Sequence, residues 1–291
     1  MSRLARTERQ EGAGERVLVG LLGEGIGASR TPRMHMAEGA ALGFSYEYRL
    51  IDTLETYRDL PVGEVLDRIE AAGFTGINVT YPYKRLVLEC LDELSGETEA
   101  VGATNAIVFR DGRRIGHNTD YRGFAESFRR GLAEAKRENV LLLGAGGAGG
   151  AVANALVDNG TERLWICDPN SAAADALAAS INRRLGARRA GAVMDLAAAA
   201  RTADGIVNAS PIGMRKLPGL PLPASLVEPR HWVGDIVYFP LETELLALAR
   251  ARGCKLLPGS GMALFQAVYA FELFTGRKPD VERMRATFEA G

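Results

Sequence analysis

A glycine run placed directly behind an apolar strand constrains this chain more than any other feature. Residues 139–143 read Asn-Val-Leu-Leu-Leu, a buried-type strand, and Gly144-Ala145-Gly146-Gly147-Ala148-Gly149 follows at once, ahead of a helix expected over 150–158. In this spacing each glycine answers a separate steric demand. Gly144 permits the tight turn, Gly146 lets a pyrophosphate approach the backbone, and Gly149 lets the helix pack close to the strand. The helix N-terminus adds a partial positive charge suited to phosphates. The plainer alternative is a tight turn and nothing more. Asp168 stands at the end of the next strand, 164–167, where a carboxylate can accept hydrogen bonds from both hydroxyls of an adenosine ribose and repel a 2′-phosphate. Its neighbours Pro169, Asn170 and Ser171 include no arginine to neutralise such a phosphate, so the pattern favours NAD over NADP. The alternative role for Asp168 is to cap the helix that follows.

The chain has 291 residues, 47% hydrophobic and 24% charged, enough for one large or two ordinary domains. Thirty-five Lys and Arg against 36 Asp and Glu leave a formal charge of -1, so the broad basic field of a nucleic-acid-binding domain is absent. Cys90, Cys167 and Cys254 are isolated from one another, which argues against a disulfide framework or a zinc site. With three histidines, His35, His117 and His231, and no His-Glu-x-x-His pattern, no metal is expected. No apolar run reaches 18 residues, so no membrane association is expected, and residues 1–16 lack the hydrophobic centre of a secretory signal and read as a frayed start. A reducing cytoplasm is the expected compartment.

Periodicity divides the chain into two α/β units. The first has strands at 17–22, 46–51 and 76–80, a hairpin of 106–109 with 114–116 turned at Asp111-Gly112, and helices at 32–42, 62–72 and 85–91; a helix at 119–136 leads from it into the second. The second has strands at 139–143, 164–167, 192–194, 205–208, 233–237 and 254–257, separated by helices at 150–158, 171–184 and 243–252. Strands separated by helices imply parallel order and a doubly wound, Rossmann-type sheet. Amphipathic helices at 261–275 and 280–290 close the chain.

Three polar segments interrupt the first unit: Ser29-Arg30-Thr31-Pro32, Asn78-Val79-Thr80-Tyr81-Pro82-Tyr83-Lys84, and Asn105 together with Asn118-Thr119-Asp120. Each falls where an expected strand ends or a helix begins, the edge at which α/β sheets gather ligand-binding groups. Hydroxyls and amides in this number suit a small polyhydroxylated molecule. Each residue also has a plain reading: Ser29 and Thr31 as turn or cap residues, Asn105 as a partner for loop backbone, Lys84 as a solvated helix residue, Asp120 as an N-cap.

These segments, with Gly102-Ala103-Thr104-Asn105, Gly116-His117-Asn118-Thr119-Asp120, the glycine loop, Asn208-Ala209-Ser210-Pro211-Ile212-Gly213-Met214, Asp235-Ile236-Val237-Tyr238 and Gly261-Met262-Ala263-Leu264-Phe265-Gln266, run in a fixed order across residues 17–276. In that order the chain resembles the shikimate dehydrogenase family, most closely its quinate/shikimate dehydrogenase branch. The resemblance implies a substrate domain at 1–120, an NAD-binding Rossmann domain at 121–257, and carboxy-terminal helices at 258–291 returning to the first domain. It implies hydride transfer between a nicotinamide and a small alicyclic hydroxy acid, with Lys84 and Asp120 as the catalytic pair. Ser29, Thr31, Thr80, Asn105 and Gln266 would hold the carboxylate and ring hydroxyls, with Tyr238 nearby. Gly144, Ala145, Gly146, Gly147, Ala148, Gly149 and Asp168 would bind the cofactor together with Asn208, Ser210, Met214, Val237, Gly259 and Met262, the last lining the nicotinamide pocket.

Two departures sharpen the resemblance. Many biosynthetic members carry Ser-x-Ser-Pro where this chain has Ser29-Arg30-Thr31-Pro32, and Asn-Arg-Thr where it has Asp168-Pro169-Asn170. The threonine form is similar to members that also accept quinate, the aspartate form to members that use NAD. A strict shikimate dehydrogenase, a relative acting on an aminated ring and a non-catalytic ligand sensor remain as alternatives; monomer and homodimer are both open.

Overall fold

The computed structural model describes residues 15–290, so most of the frayed start expected at 1–16 lies outside the described residues. The first unit runs β1 (Arg16–Gly23), α1 (Thr31–Ala41), β2 (Ser45–Asp52), α2 (Val62–Ala71), β3 (Gly76–Val79), α3 (Tyr83–Leu86), β4 (Glu93–Leu94), α4 (Gly96–Val101), β5 (Ala106–Arg110), β6 (Arg113–His117) and α5 (Thr119–Gly131). Its sheet has the order β2-β1-β3-β5-β6-β4. β1 pairs in parallel with β2 and β3, while β5 pairs antiparallel with β3 and β6. β1 is apolar along almost its whole length because both its faces are covered. The β5–β6 hairpin turns at Asp111 and Gly112, with φ of 53° and 69°, the two successive left-handed residues that an Asp-Gly turn supplies.

The second unit runs β7 (Asn139–Leu143), α6 (Gly147–Asp158), β8 (Arg163–Cys167), α7 (Ser171–Leu185), β9 (Ala190–Ala192), α8 (Leu196–Thr202), β10 (Gly205–Asn208), β11 (Trp232–Asp235), α9 (Glu244–Ala251), β12 (Lys255–Pro258), α10 (Gly259–Thr275) and α11 (Val281–Glu289). Its six strands, in the order β12-β11-β10-β7-β8-β9, are all parallel. The order reverses between β7 and β10, which opens a crevice at their carboxyl ends. Leu142, Val152 and Leu156 pack with α5 and α7 on one face, and Leu141, Ala200 and Leu245 pack with α8 and α9 on the other.

One helix ties the units together. The start of α10 enters the core under α5 through Met262, while Ala270, Phe271 and Phe274 pack on the first sheet. α10 lies against α5 so closely that a Cβ on Gly123 would stand 2.7 Å from the Gln266 nitrogen and 2.8 Å from the Met262 oxygen. Met284 and Phe288 of α11 join Met34 of α1, and the buried Glu38 carboxylate receives the Arg283 guanidinium and the Asp280 backbone N–H. The terminal helices thus pack back on the first unit.

Several boundaries differ from expectation for identifiable reasons. The expected helix 119–136 ends at Gly131, because the irregular turn beyond it is held by Arg137, which donates to the carbonyls of Leu132, Ala133 and Ala135. The strand expected at 192–194 forms at 190–192, where the Asn182 amide bonds both the N–H and the carbonyl of Ala190. The helix expected at 85–91 begins at Tyr83 and tightens into a 3-10 turn over Val87–Cys90. α4, α8 and β4 are too short to raise a periodic signal.

Candidate active site

The glycine loop meets the three demands read from its spacing. Gly144 adopts φ +106°, and a Cβ there would strike the Ala209 carbonyl at 2.8 Å. A Cβ on Gly149 would lie 2.2 Å from the Gly144 oxygen, so the approach of α6 to β7 requires glycine. Gly146 is exposed, with nothing within 4 Å of where its Cβ would be. It is the N-cap of α6, which starts at Gly147, three residues earlier than expected, and no side chain caps the helix, which leaves its first N–H groups for a ligand. Asp168 Oδ2 accepts from the Ala145 N–H and Oδ1 from the Asn170 N–H, each at 2.8 Å. Each oxygen retains a second lone pair for a ribose hydroxyl. Capping of α7 falls instead to Asn170, whose side chain accepts from Ala173.

The facing wall comes from the first unit. Lys84 rides on α3, just past the end of β3, and Asp120 occupies the first turn of α5. Lys84 Nζ stands 2.5 Å from Asp120 Oδ2, with the two side chains 22% and 13% exposed, so the lysine is not a solvated surface group. Nor is Asp120 the cap of α5: Asn118 does that, accepting from Tyr121 at 2.9 Å. A Cβ on Gly147 would lie 3.7 Å from Lys84 Cδ, which puts the lysine stem against the head of the glycine loop.

Around this pair the expected substrate residues divide. Asn105 is buried and accepts the Thr119 N–H at 2.6 Å while donating to the Thr119 hydroxyl at 3.0 Å, so its first task is to hold the start of α5. One amide N–H remains. Ser29 and Thr31 are half-buried at the start of α1, with the Thr31 N–H directed at Ser29 Oγ, 3.4 Å away. Thr80 follows β3 and packs its methyl where Gly23 has no side chain. Gln266 donates to the Ala263 carbonyl within α10 and keeps its oxygen and one N–H. Tyr238 is half-buried in the loop after β11; burial pushes its hydroxyl pKa up and the negative charge of Asp120 adds to the rise.

Among the expected cofactor contacts on the β10–β11 side, the Asn208 side chain needs correction. Both amide hydrogens of Asn208 are used, by the Ile212 carbonyl and Asp235 Oδ1, and its oxygen accepts the Ser210 N–H and hydroxyl. The Asn208 side chain therefore shapes the loop and has no hydrogen-bonding capacity left for a ligand. Gly259 is glycine because a Cβ would lie 2.6 Å from the Ile236 oxygen. Ser210 is half-buried and Met214 exposed in the loop after β10, while Val237 and Met262 are largely buried. Two polar residues absent from the expected set organise this side. Asp235 accepts from Asn208 and the Val237 N–H, each at 3.0 Å, and from the Thr243 hydroxyl at 2.7 Å. Burial raises the Asp235 carboxyl to about 6. The sequence clue is an aspartate inside an otherwise apolar strand, 233–237. Among the described residues, no group of His, Cys, Asp or Glu is placed to hold a metal, and no helix is long and apolar enough to cross a membrane.

A crevice with an uncapped, glycine-headed helix on one wall and a half-buried lysine–carboxylate pair on the other belongs to the dinucleotide-linked dehydrogenases of two-lobed design. Comparison with known proteins narrows the class. Residues 21–107 match the family model of the shikimate dehydrogenase substrate binding domain, and residues 259–287 that of the shikimate 5'-dehydrogenase C-terminal domain. The quinate/shikimate dehydrogenase (NAD(+)) of Corynebacterium efficiens is 49% identical over 276 residues, covering 94% of this chain and 97% of that protein. The shikimate dehydrogenase (NADP(+)) of Streptomyces avermitilis is 51% identical over 273 residues, covering 92% and 94%. The structure of quinate dehydrogenase from Corynebacterium glutamicum in complex with NAD superposes with a TM-score of 0.92 at 45% identity, covering 96% of this chain and all of that one. The chain belongs to the shikimate dehydrogenase family.

Proposed function

We propose that this protein is an NAD-linked dehydrogenase that interconverts a quinate- or shikimate-type ring alcohol and its ketone. The observation that carries the reading is the Lys84–Asp120 pair at 2.5 Å with the lysine stem packed against the head of the glycine loop, so that acid/base group and cofactor cradle share one crevice. The C. efficiens and C. glutamicum relatives are named for this chemistry with NAD, which supports the same substrate class here. We divide the chain into a substrate domain at 1–120, a Rossmann domain at 121–257 and carboxy-terminal helices at 258–291, and assign it to the cytoplasm from its three isolated thiols.

The cradle fits a dinucleotide, because Gly146 leaves open space at the head of α6 and Asp168 keeps an acceptor on each oxygen. Gly144 to Gly149 would hold the pyrophosphate and Asp168 the adenosine ribose, with Ser210, Met214, Val237 and Met262 along the nicotinamide side. NAD when bound supplies the hydride acceptor and, reduced, the hydride donor. Asp168 would repel a 2′-phosphate, and this favours NAD although the S. avermitilis relative is named for NADP(+).

Removing hydride from a carbinol carbon requires that its hydroxyl proton leave in concert. Lys84, as the neutral amine, takes that proton in oxidation and, as the ammonium so formed, returns it in reduction; Asp120 orients the Lys84 side chain through the 2.5 Å bond. Ser29, Thr31, Thr80, the free N–H of Asn105 and Gln266 would hold the carboxylate and ring hydroxyls of the substrate, with Tyr238 nearby. Asn208, Asp235 and Thr243 hold the two loops beside the crevice in register. The test is steady-state turnover of quinate, shikimate and an amino analogue, each with NAD and NADP. Lys84→Ala should lower turnover by about 10²- to 10⁴-fold while leaving NAD affinity nearly unchanged, and Asp120→Asn should also lower it severely. Near-normal turnover in Lys84→Ala would sink the assignment.

A further inference from the structure

The segment that opens α1 carries a cation to which the chemistry above gives no part. Arg30 lies between Ser29 and Thr31, and no carboxylate of the described residues pairs with it. Its guanidinium stands 4.3 Å from the centre of the Phe239 ring and 5.4 Å from that of Phe288. Nη1 donates at 2.8 Å to the Phe288 carbonyl in the last turn of α11, where the negative end of the helix favours a cation. Phe288 belongs to the helices packed on the first unit, but Phe239 belongs to the loop behind β11 in the second. Arg30 therefore bridges the two units at the crevice rim.

The bridge reaches the substrate residues. Tyr238, next to Phe239, tilts against Phe239 at 5.1 Å and Phe288 at 6.2 Å. Burial raises its hydroxyl pKa and Asp120 adds to the rise, while the positive charge of Arg30 opposes it, so Tyr238 lies within the fields of both groups. A guanidinium held over aromatic rings gives up no hydrogen-bond donor to them, and the Phe288 carbonyl takes one of its five N–H groups. A cation with spare donors, next in sequence to two hydroxyl residues and packed on the same two rings as Tyr238, is matched to an anion.

We propose that Arg30 is a positioning and specificity-determining residue: a clasp that holds the 236–240 loop over the crevice and draws the carboxylate of a ring acid onto Ser29, Thr31 and Tyr238. Its substrate half rests on the function proposed above; its mechanical half does not. Lysine cannot replace it fully, because an ammonium keeps the charge but has no planar face to stack.

The test compares wild type with Arg30→Met, which keeps the apolar stem, Arg30→Lys, which keeps the charge, and Arg33→Ala, which removes a neighbouring exposed cation as a control. Arg30→Met should raise KM for the ring acid by about tenfold, with kcat and KM for NAD changing less than about threefold. Arg30→Lys should recover part of that loss. In wild type and Arg33→Ala, KM for the acid should climb with ionic strength, and in Arg30→Met the slope should flatten. Amide hydrogen exchange in 236–240 and the end of α11 should quicken in Arg30→Met, a readout that needs no turnover. Equal rises in KM for acid and NAD would overturn acid recognition, and unchanged exchange would overturn the clasp. If wild type turned over neither quinate nor shikimate, the function proposed above would fail, and the exchange data would still judge the clasp.

Discussion

Two alanine substitutions in one loop should have opposite consequences, because Gly146 and Gly149 are glycines for different reasons. At Gly149 a Cβ would stand 2.2 Å from the Gly144 backbone oxygen, where ordinary contact lies at 3.4–4 Å, so α6 must retreat from β7 by more than about 1 Å. The obstacle is backbone and cannot rotate aside. Overpacking of that kind costs about 3 kcal/mol, and in a chain of this length each kcal/mol moves Tm by about 1.6 °C, which gives a fall of about 5 °C for Gly149→Ala without any ligand. Gly146 is the reverse case. Its φ of -73° and ψ of -170° suit alanine, and nothing lies within 4 Å of the new methyl. Gly146→Ala should leave Tm unchanged or slightly higher, by the roughly 0.4–1 kcal/mol that alanine takes from the unfolded chain. Its methyl would instead occupy the space through which a pyrophosphate approaches the helix head, and NAD affinity should fall at least about tenfold. Thermal unfolding of the two ligand-free variants and calorimetric titration with NAD separate the effects. Native NAD affinity in Gly146→Ala would refute the cradle, and native Tm in Gly149→Ala would refute the packing argument.

Asp168→Ala should weaken NAD about tenfold to a hundredfold and NADP less, because it removes charged acceptors from the ribose and the repulsion of a 2′-phosphate. Faster turnover with NADP than with NAD by the native protein, at equal low concentrations, would overturn this reading of Asp168. At Asp235 the folded carboxyl is raised from 3.8 to about 6, so between those values the native state binds more protons than the unfolded one. Its contribution therefore falls as pH rises through that window, by at most about 3 kcal/mol. Asp235→Asn can keep the bonds from Asn208 and Val237 and should become steadily more stable relative to wild type from pH 4 to pH 7. A difference in urea midpoint that stayed flat over that range would show that the carboxylate is not penalised by burial.

What the sequence disclosed follows from how far each constraint reaches along the chain. The glycine loop was legible residue by residue, because a tight turn, an open helix head and a close strand–helix approach are imposed on the backbone within six positions. The Asp-Gly hairpin was legible for the same reason. Lys84 and Asp120 were nominated only by their places in ordered motifs; nothing local says that a lysine on α3 meets a carboxylate on α5. Asn208 shows the opposite limit. Its position beside the crevice was visible, yet whether its amide faces a ligand depends on Asp235, 27 residues away on the neighbouring strand, which consumes the donor a ligand would need. A motif identifies a residue near the chemistry, and the hydrogen-bond inventory decides whether it has any capacity left to take part. By that criterion Asp168 and Lys84 retain functional capacity, the Asn208 side chain is scaffold, and Arg30, with donors to spare and no carboxylate paired with it among the described residues, is the residue the inventory adds as a candidate.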